Sequence, residues 1–247
     1  MTESISVRGL SHAFNGRLVL DDVSFGVTPD GITALVGPSG CGKSTLFKVL
    51  AGLLIPQSGA ADVGDASAIG RTGVVSFMPQ RDHLLPWKRT IDNAIVGARI
   101  GGVAKEQARA QARALLETFG LDGAERSWPS ELSGGMRQRL ALLRTFLVGR
   151  NILLLDEPFG ALDGITRRSM HTWLQCVLAE TPRTVLLITH DVEEALTLAD
   201  QVVVLSSRPA RVLATFPVPL ARPRAAEVVT TPNFVELKRE VLAVLDA

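Results

Sequence analysis

Cysteine is nearly absent from this chain. Only Cys41 and Cys176 occur among 247 residues. They lie far apart and form no metal-type spacing, which excludes a disulfide-built scaffold and fits a reducing compartment. An excess of charge of one sign is also missing. Lys and Arg number 26 against 25 Asp and Glu, a net charge of +1. A nucleic-acid protein normally carries a basic surplus, so no nucleic-acid partner is expected. No apolar run reaches the roughly 18 residues of a membrane span; the longest, Leu46 to Ile55, is interrupted by Lys48. The start, MTESISVRGL, has no basic stretch followed by an apolar one, so no signal peptide is expected. Repeats and low-complexity tracts are absent too. What the chain has is bulk. Hydrophobic residues make up 46%, which excludes disorder and allows a large core. One soluble domain over residues 1–247 is expected, and any membrane role must run through a partner.

The most informative stretch is Gly37 to Thr45, GPSGCGKST. It fits the phosphate-binding pattern G-x-x-x-x-G-K-[ST] without mismatch. The apolar run Ile32 to Val36 before it suits a buried strand, and Leu46 to Ala51 after it continues as a helix. Gly37, Gly40 and Gly42 let successive backbone N–H groups turn toward one phosphate. Pro38, Ser39 and Cys41 complete the loop. The helix start near Lys43 adds its positive end. Lys43 is suited to the β- and γ-phosphates, and the Ser44 hydroxyl, followed by Thr45, to Mg²⁺. Cys41, near a helix start and Lys43, has the setting of a reactive thiolate. The loop alone specifies a nucleoside triphosphate and no more.

Along the chain, Ile5 to Leu10 and Val23 to Val27 alternate as half-buried strands, with a turn at Asn15-Gly16. Phe14 beside that turn is either a core aromatic or a ring that stacks on a base. Residues 55–59 read as a turn. Gly73 to Met78 reads as a strand ending at Gln80. In Asp82 to Lys88, the residues Leu84, Leu85 and Trp87 surround Pro86. They are either tucked into the core or part of a contact patch. Residues 104–119 read as a helix whose Ala108, Ala112, Leu115, Leu116 and Phe119 form a buried stripe.

Leu132 to Arg139, LSGGMRQR, places Ser133 as cap of a helix, with Gly134 and Gly135 allowing a ligand close to its start. Ile152 to Leu155 is an apolar strand ending in Asp156-Glu157. Two carboxylates there suit a metal and a general base, or cap the following helix. A helix is expected from Ile165 to about residue 180 after the Gly160–Asp163 turn. His190 ends the apolar strand Thr184 to Thr189, just as Gln80 and Asp156 stand at strand ends. Ligands of open parallel sheets sit at such ends. Asp191 to Leu198 reads as a helix, Gln201 to Leu205 and Arg211 to Phe216 as strands, and Thr231-Pro232 opens a last helix.

Taken together these stretches closely resemble the nucleotide-binding subunit of ABC transporters, over nearly the whole chain. Phe14 fits the family's aromatic position, Gly37 to Thr45 its Walker A loop and Gln80 its Q-loop glutamine. LSGGMRQR fits its signature, Asp156 and Glu157 its Walker B aspartate and catalytic glutamate, Asp163 its D-loop, and His190 its switch histidine. The resemblance implies an α/β fold: a P-loop (RecA-like) core, an N-terminal antiparallel β portion, and a helical insertion over about residues 81–144. It implies an active ATPase, with ATP and Mg²⁺ as ligands. Glu157, His190 and Lys43 would act in catalysis. Ser44, Gln80 and Asp156 would serve the metal. Ser133, Gly134 and Gly135 would act on nucleotide held by a second copy in a head-to-tail dimer. A membrane permease and, indirectly, a periplasmic solute-binding protein are the further partners implied, with the subunit on the cytoplasmic face of the membrane. LLPW after Gln80 and the stretch from Ile188 to Val212 resemble the importer branch for nitrate, sulfonates and taurine; importers of pyrimidine or thiamine precursors share these features. A soluble non-transport ABC ATPase and a P-loop kinase acting on a small substrate are the remaining alternatives; the signature sequence argues against the kinase. No long C-terminal regulatory domain is expected after Ala247.

Overall fold

The computed structural model describes residues 3–160 and 162–246. The chain opens with a long hairpin, β1 (Ile5–Phe14) and β2 (Arg17–Val27). Phe14 pairs with Arg17 across Asn15 and Gly16. Both turn residues have positive φ, 48° and 75°, the backbone of a tight two-residue hairpin turn. The buried β3 (Ile32–Val36) comes next and leads through the phosphate loop into α1 (Lys43–Leu50).

Beyond α1 lie β4 (Ser58–Val63) and β5 (Ala66–Ser67), where only a turn was expected. Gly59, Ala60 and Ala61 carry little side chain, so their strand has no strong alternation to read. β6 is short, Ser76–Met78, since Gly73 has φ 78° and is not extended. Between it and β7 (Ile152–Asp156) lie α2 (Thr90–Ala94), α3 (Val96–Ile100), α4 (Lys105–Leu116) and α5 (Gly134–Phe146). The first two span little more than a turn each, too short to leave a helical period. α4 stops at Leu116, and the fully buried Phe119 packs beyond its end against Phe146 and Trp173, with ring centroids 5.7 and 5.1 Å away. The chain closes with α6 (Gly164–Glu180), β8 (Thr184–Thr189), α7 (Val192–Leu198), β9 (Gln201–Leu205), β10 (Val212–Pro217) and α8 (Pro232–Leu245). Thr231 stands at the cap position of α8, but its hydroxyl donates to the Val228 carbonyl at 2.7 Å rather than capping.

The strands form two sheets. The antiparallel sheet has order β2-β1-β4-β5, and the larger one β10-β9-β3-β8-β7-β6. The larger sheet is parallel apart from β10, which runs antiparallel on β9. Its strands read as unbroken apolar runs because both faces are covered. Leu153, Leu155, Val185 and Leu187 face one core shared with the helices. Their neighbours Ile152, Leu154, Leu186 and Ile188 face a second core with α1 and the antiparallel sheet. Parallel order has one consequence for chemistry. β3, β6, β7, β8 and β9 all point their C-terminal ends the same way, so the segments after Val36, Met78, Asp156, Thr189 and Leu205 share one edge.

Candidate functional site

The phosphate loop sits at that edge. Gly42 precedes α1 with φ 135°, a backbone that L side chains rarely adopt. A Cβ on Gly37 would lie 2.9 Å from the Leu205 carbonyl oxygen, so only glycine lets the loop start against the end of β9. Ser39, Gly40, Gly42, Lys43, Ser44 and Thr45 line a cavity of about 360 Å³, joined by Phe14, Val19, Gln80, Glu157 and Arg208. Gly37, Pro38 and Cys41 stand behind it. Their part is to shape the loop: the Lys43 ammonium, only 5% exposed, donates to the carbonyls of Gly37 at 2.6 Å and Pro38 at 2.9 Å.

The carboxylates take different places. Asp156 ends β7 and is buried. Burial pushes its carboxyl above the usual carboxylate range. A hydrogen bond from the Ser44 hydroxyl and the charge of Lys43 oppose that shift, while Glu157 adds to it. A desolvated carboxylate bonded to a hydroxyl at the foot of a phosphate loop is a setting in which a divalent cation removes an electrostatic penalty. Asp156, Ser44 and Gln80 supply hard oxygen donors, which suits Mg²⁺. Among the described residues no cluster of three or more His, Cys, Asp and Glu is placed to hold a metal ion, so a cation here would have to rely on that mixed set and on phosphate oxygens.

Glu157 faces the cavity instead. Its φ is 46°, a left-handed backbone that costs a non-glycine residue on the order of 1 kcal/mol or more. Its N–H donates to the Ile188 carbonyl of β8 at 2.9 Å, which anchors the turn. Its Oε2 then lies 3.3 Å from His190 Nδ1 and accepts from Gln80 Nε2 at 3.2 Å. Three strand ends, those of β6, β7 and β8, thus converge on one carboxylate oxygen. Phe14 borders the same cavity with its ring 44% exposed, steadied edge-on by His12 at 4.6 Å. A core role for Phe14 is overturned by that exposure, and a helix-cap role for the carboxylate pair by its contacts.

Other expected residues lie elsewhere. Ser133 caps α5, its Oγ accepting from Met136 N–H at 3.2 Å. A Cβ on Gly135 would meet Thr166 of α6 at 3.2 Å. None of Ser133, Gly134 and Gly135 lines the phosphate-loop cavity of its own chain. Asp163 caps α6 by accepting from the N–H groups of Ile165 and Thr166 at 3.0 and 3.1 Å. The Thr166 hydroxyl, then these N–H groups, hold its carboxyl below the usual range. Ala161 of the same turn lies outside the described residues. Sequence reading missed Val19 and Arg208. The signal was there for Arg208, which comes after a parallel strand end just as His190 does.

Cys41 corrects an expectation. Its side chain is 1% exposed and packs in the core beneath the antiparallel sheet, with Sγ 3.8 Å from Lys43 Nζ. Position near a helix start does not make a thiol reactive when no reagent can reach it.

Comparison with known proteins agrees with the geometry. The ABC transporter family profile matches residues 20–160. The aliphatic sulfonates import ATP-binding protein SsuB 1 of Rhodococcus jostii is 46% identical over 216 residues, 87% of this chain and 84% of that protein. The taurine import ATP-binding protein TauB of Rhizobium johnstonii is 44% identical over 241 residues, 93% of this chain and 90% of the relative. Among solved structures, the dimeric ABC transporter cassette MJ0796 superposes with a TM-score of 0.77 at 23% identity, over 88% of this chain and all of the other. That likeness concerns the fold.

Maleimide treatment of the folded chain should label Cys176, which is exposed, and spare Cys41. Because a buried thiol reacts only after local opening, its labelling should be slower by about a hundredfold or more. Peptide mass mapping reads the ratio. Comparable labelling of the two thiols would contradict the burial.

Proposed function

The chain belongs to the ABC transporter family, and from that premise we propose that it is the ATP-hydrolysing subunit of an importer for a small solute, working on a separate membrane permease. The solute we propose is a sulfonate, taurine, nitrate or a similar small anion or zwitterion, in line with the relatives named above. An importer of a pyrimidine or thiamine precursor is the second reading.

The observation that carries the catalytic reading is the convergence of Gln80, Glu157 and His190 at the mouth of the phosphate-loop cavity. Lys43 and the start of α1 bind the β- and γ-phosphates. Asp156, Ser44 and Gln80 would hold Mg²⁺, which would supply charge neutralisation at the phosphate oxygens. Glu157 takes the proton of the attacking water, and His190 orients that carboxylate and the γ-phosphate end. Phe14 stacks on the base. Ser133, Gly134 and Gly135 close on nucleotide held by a second copy. That arrangement is supported by their absence from the cavity of their own chain. Residues 81–144 form the helical insertion within a single nucleotide-binding domain. No helix is long and apolar enough to cross a membrane among the described residues. The subunit then works at the cytoplasmic face of the membrane, served there by the permease and, outside, by a solute-binding protein.

The contact with the permease is read from the segment after Gln80. Leu84 packs against the core, while Trp87 is 70% exposed. The loop that displays it is pinned. Leu85 N–H donates to Asn93 Oδ1 at 2.7 Å, and Asn93 Nδ2 donates to the Lys88 carbonyl at 2.8 Å. Arg144 donates to the carbonyls of Asp82 and His83. A groove of about 380 Å³ between Lys88 and Lys105 opens beside it, edged by Ile100 at 84% exposure. Exposed apolar groups on a braced loop, a few residues from the nucleotide-contacting Gln80, suit a partner that must feel the nucleotide state.

Two substitutions test these assignments. Glu157→Gln keeps the shape and removes the proton acceptor, so ATP should still bind while hydrolysis falls by at least about a hundredfold. Steady-state turnover beside equilibrium ATP binding decides it, and near-normal turnover would refute the role. Trp87→Ala should leave the melting temperature and ATP affinity of the isolated subunit nearly unchanged, yet weaken permease assembly by about 2 kcal/mol or more, as loss of an aromatic anchor does. A large drop in melting temperature with assembly intact would return Trp87 to a packing role, for which truncation costs about 3–5 kcal/mol.

A further inference from the structure

We infer that Arg208 contacts the nucleoside end of the bound nucleotide and helps to set its affinity. This rests on the reading of the cavity as an ATP site and adds a residue to it. The cavity lining holds two unlike groups of residues. Lys43, the start of α1, Gln80 and Glu157 serve the phosphates and the water. Phe14, Val19 and Arg208 line the remainder. Among the described residues Arg208 is the only cation besides Lys43 on this lining, and it lies outside the phosphate loop.

Its placement is built, not incidental. Arg208 lies in the loop joining β9 to β10, and that loop is fixed at both margins. Ser206 N–H donates to the Arg211 carbonyl at 2.9 Å, and Ser206 Oγ donates to the Pro209 carbonyl at 2.9 Å. Ala210 N–H donates to the Val19 carbonyl at 2.8 Å, Asp21 N–H to the Ala210 carbonyl at 3.0 Å, and Arg211 Nε to the Asp21 carboxylate at 2.7 Å. The loop is thus laid along β2 at the residues just past the Phe14 turn. Arg208 itself uses only Nε, donating to the Leu18 carbonyl at 3.3 Å. Its two terminal amino groups have no protein hydrogen-bond partner among the described residues, in a hydrogen-bond network that satisfies its neighbours.

That geometry sets the chemistry. A guanidinium is planar, permanently charged and carries donors in a fixed fork. Arg208 is exposed, and its one hydrogen bond through Nε leaves the terminal donors of the fork available to a ligand. Its outward donors suit the ring-nitrogen and ribose-oxygen acceptors of a nucleoside, and its flat face suits a base. The triphosphate has its own cation and helix start. A second cation outside the phosphate loop distinguishes a nucleotide from a bare polyphosphate.

The test is calorimetric titration of the full chain with a non-hydrolysable ATP analogue and with inorganic tripolyphosphate, each as its Mg²⁺ salt. Arg208→Ala should raise the Kd for the analogue about tenfold, the scale of a lost hydrogen bond to a charged donor, and leave that for tripolyphosphate unchanged. Arg208→Lys keeps the charge and lacks the fork, so it should recover only part of the loss; its melting temperature checks that the loop is intact. Wild-type affinity of Arg208→Ala for the analogue would overturn the inference. An equal loss for both ligands would do so too, since it would put the guanidinium on the phosphates. A wild-type chain that binds neither ligand would instead remove the ATP reading beneath it.

Discussion

The structure depends on one electrostatic constraint: a lysine and an aspartate are both buried at the carboxyl edge of a parallel sheet. Lys43 is 5% exposed and Asp156 4% exposed. Charges so far from water are costly unless each has partners. Lys43 meets this need with the carbonyls of Gly37 and Pro38, and Asp156 with the Ser44 hydroxyl. The phosphate loop supplies both, and its demands shape the sheet around it. β3 and β7 must lie at a fixed spacing, which β8 between them sets through its register with each. The apolar residues of these strands fill two cores, one on each face, and so hold the edge rigid. A polyphosphate with its cation completes a site whose charges are already desolvated, which is the condition under which electrostatics act strongly.

The same edge explains how much of the site was legible in the sequence. Parallel strands buried on both faces appear as short, wholly apolar runs, and the first polar residues after each run stand at the ligand edge. Gln80, Asp156 and His190 could therefore be placed without a structure, and so could the cap Ser133. The parts that stayed hidden had no periodic signature. The hairpin of β4 and β5 is built from small residues, and α2 and α3 are one-turn helices whose path is set by the buried Asn93 and its contacts with the preceding loop. Cys41 was misread for a different reason. Its neighbours in sequence argue for reactivity, but whether a side chain on a tight loop points outward or into the core is decided by packing. The buried pair of His171 and Glu194, 3.1 Å apart and joining α6 to α7, likewise had no sequence signal.

On the proposed reading, one chain carries two halves of different sites. The phosphate loop and Glu157 line one cavity, while the capped start of α5, with Ser133, Gly134 and Gly135, lies outside it. Two copies in head-to-tail arrangement would bring each half to its complement. Mixing two inactive variants measures this most directly. Lys43→Ala damages the phosphate loop, and Gly135→Asp places a carboxylate and a side chain at the start of α5. A heterodimer of the two holds one intact composite site and one doubly damaged site, whereas each homodimer holds two damaged ones. ATP-stabilised dimers, read by light scattering, should form in the mixture at a level neither variant reaches alone. A mixture that holds ATP no better than its separate components would contradict the head-to-tail arrangement.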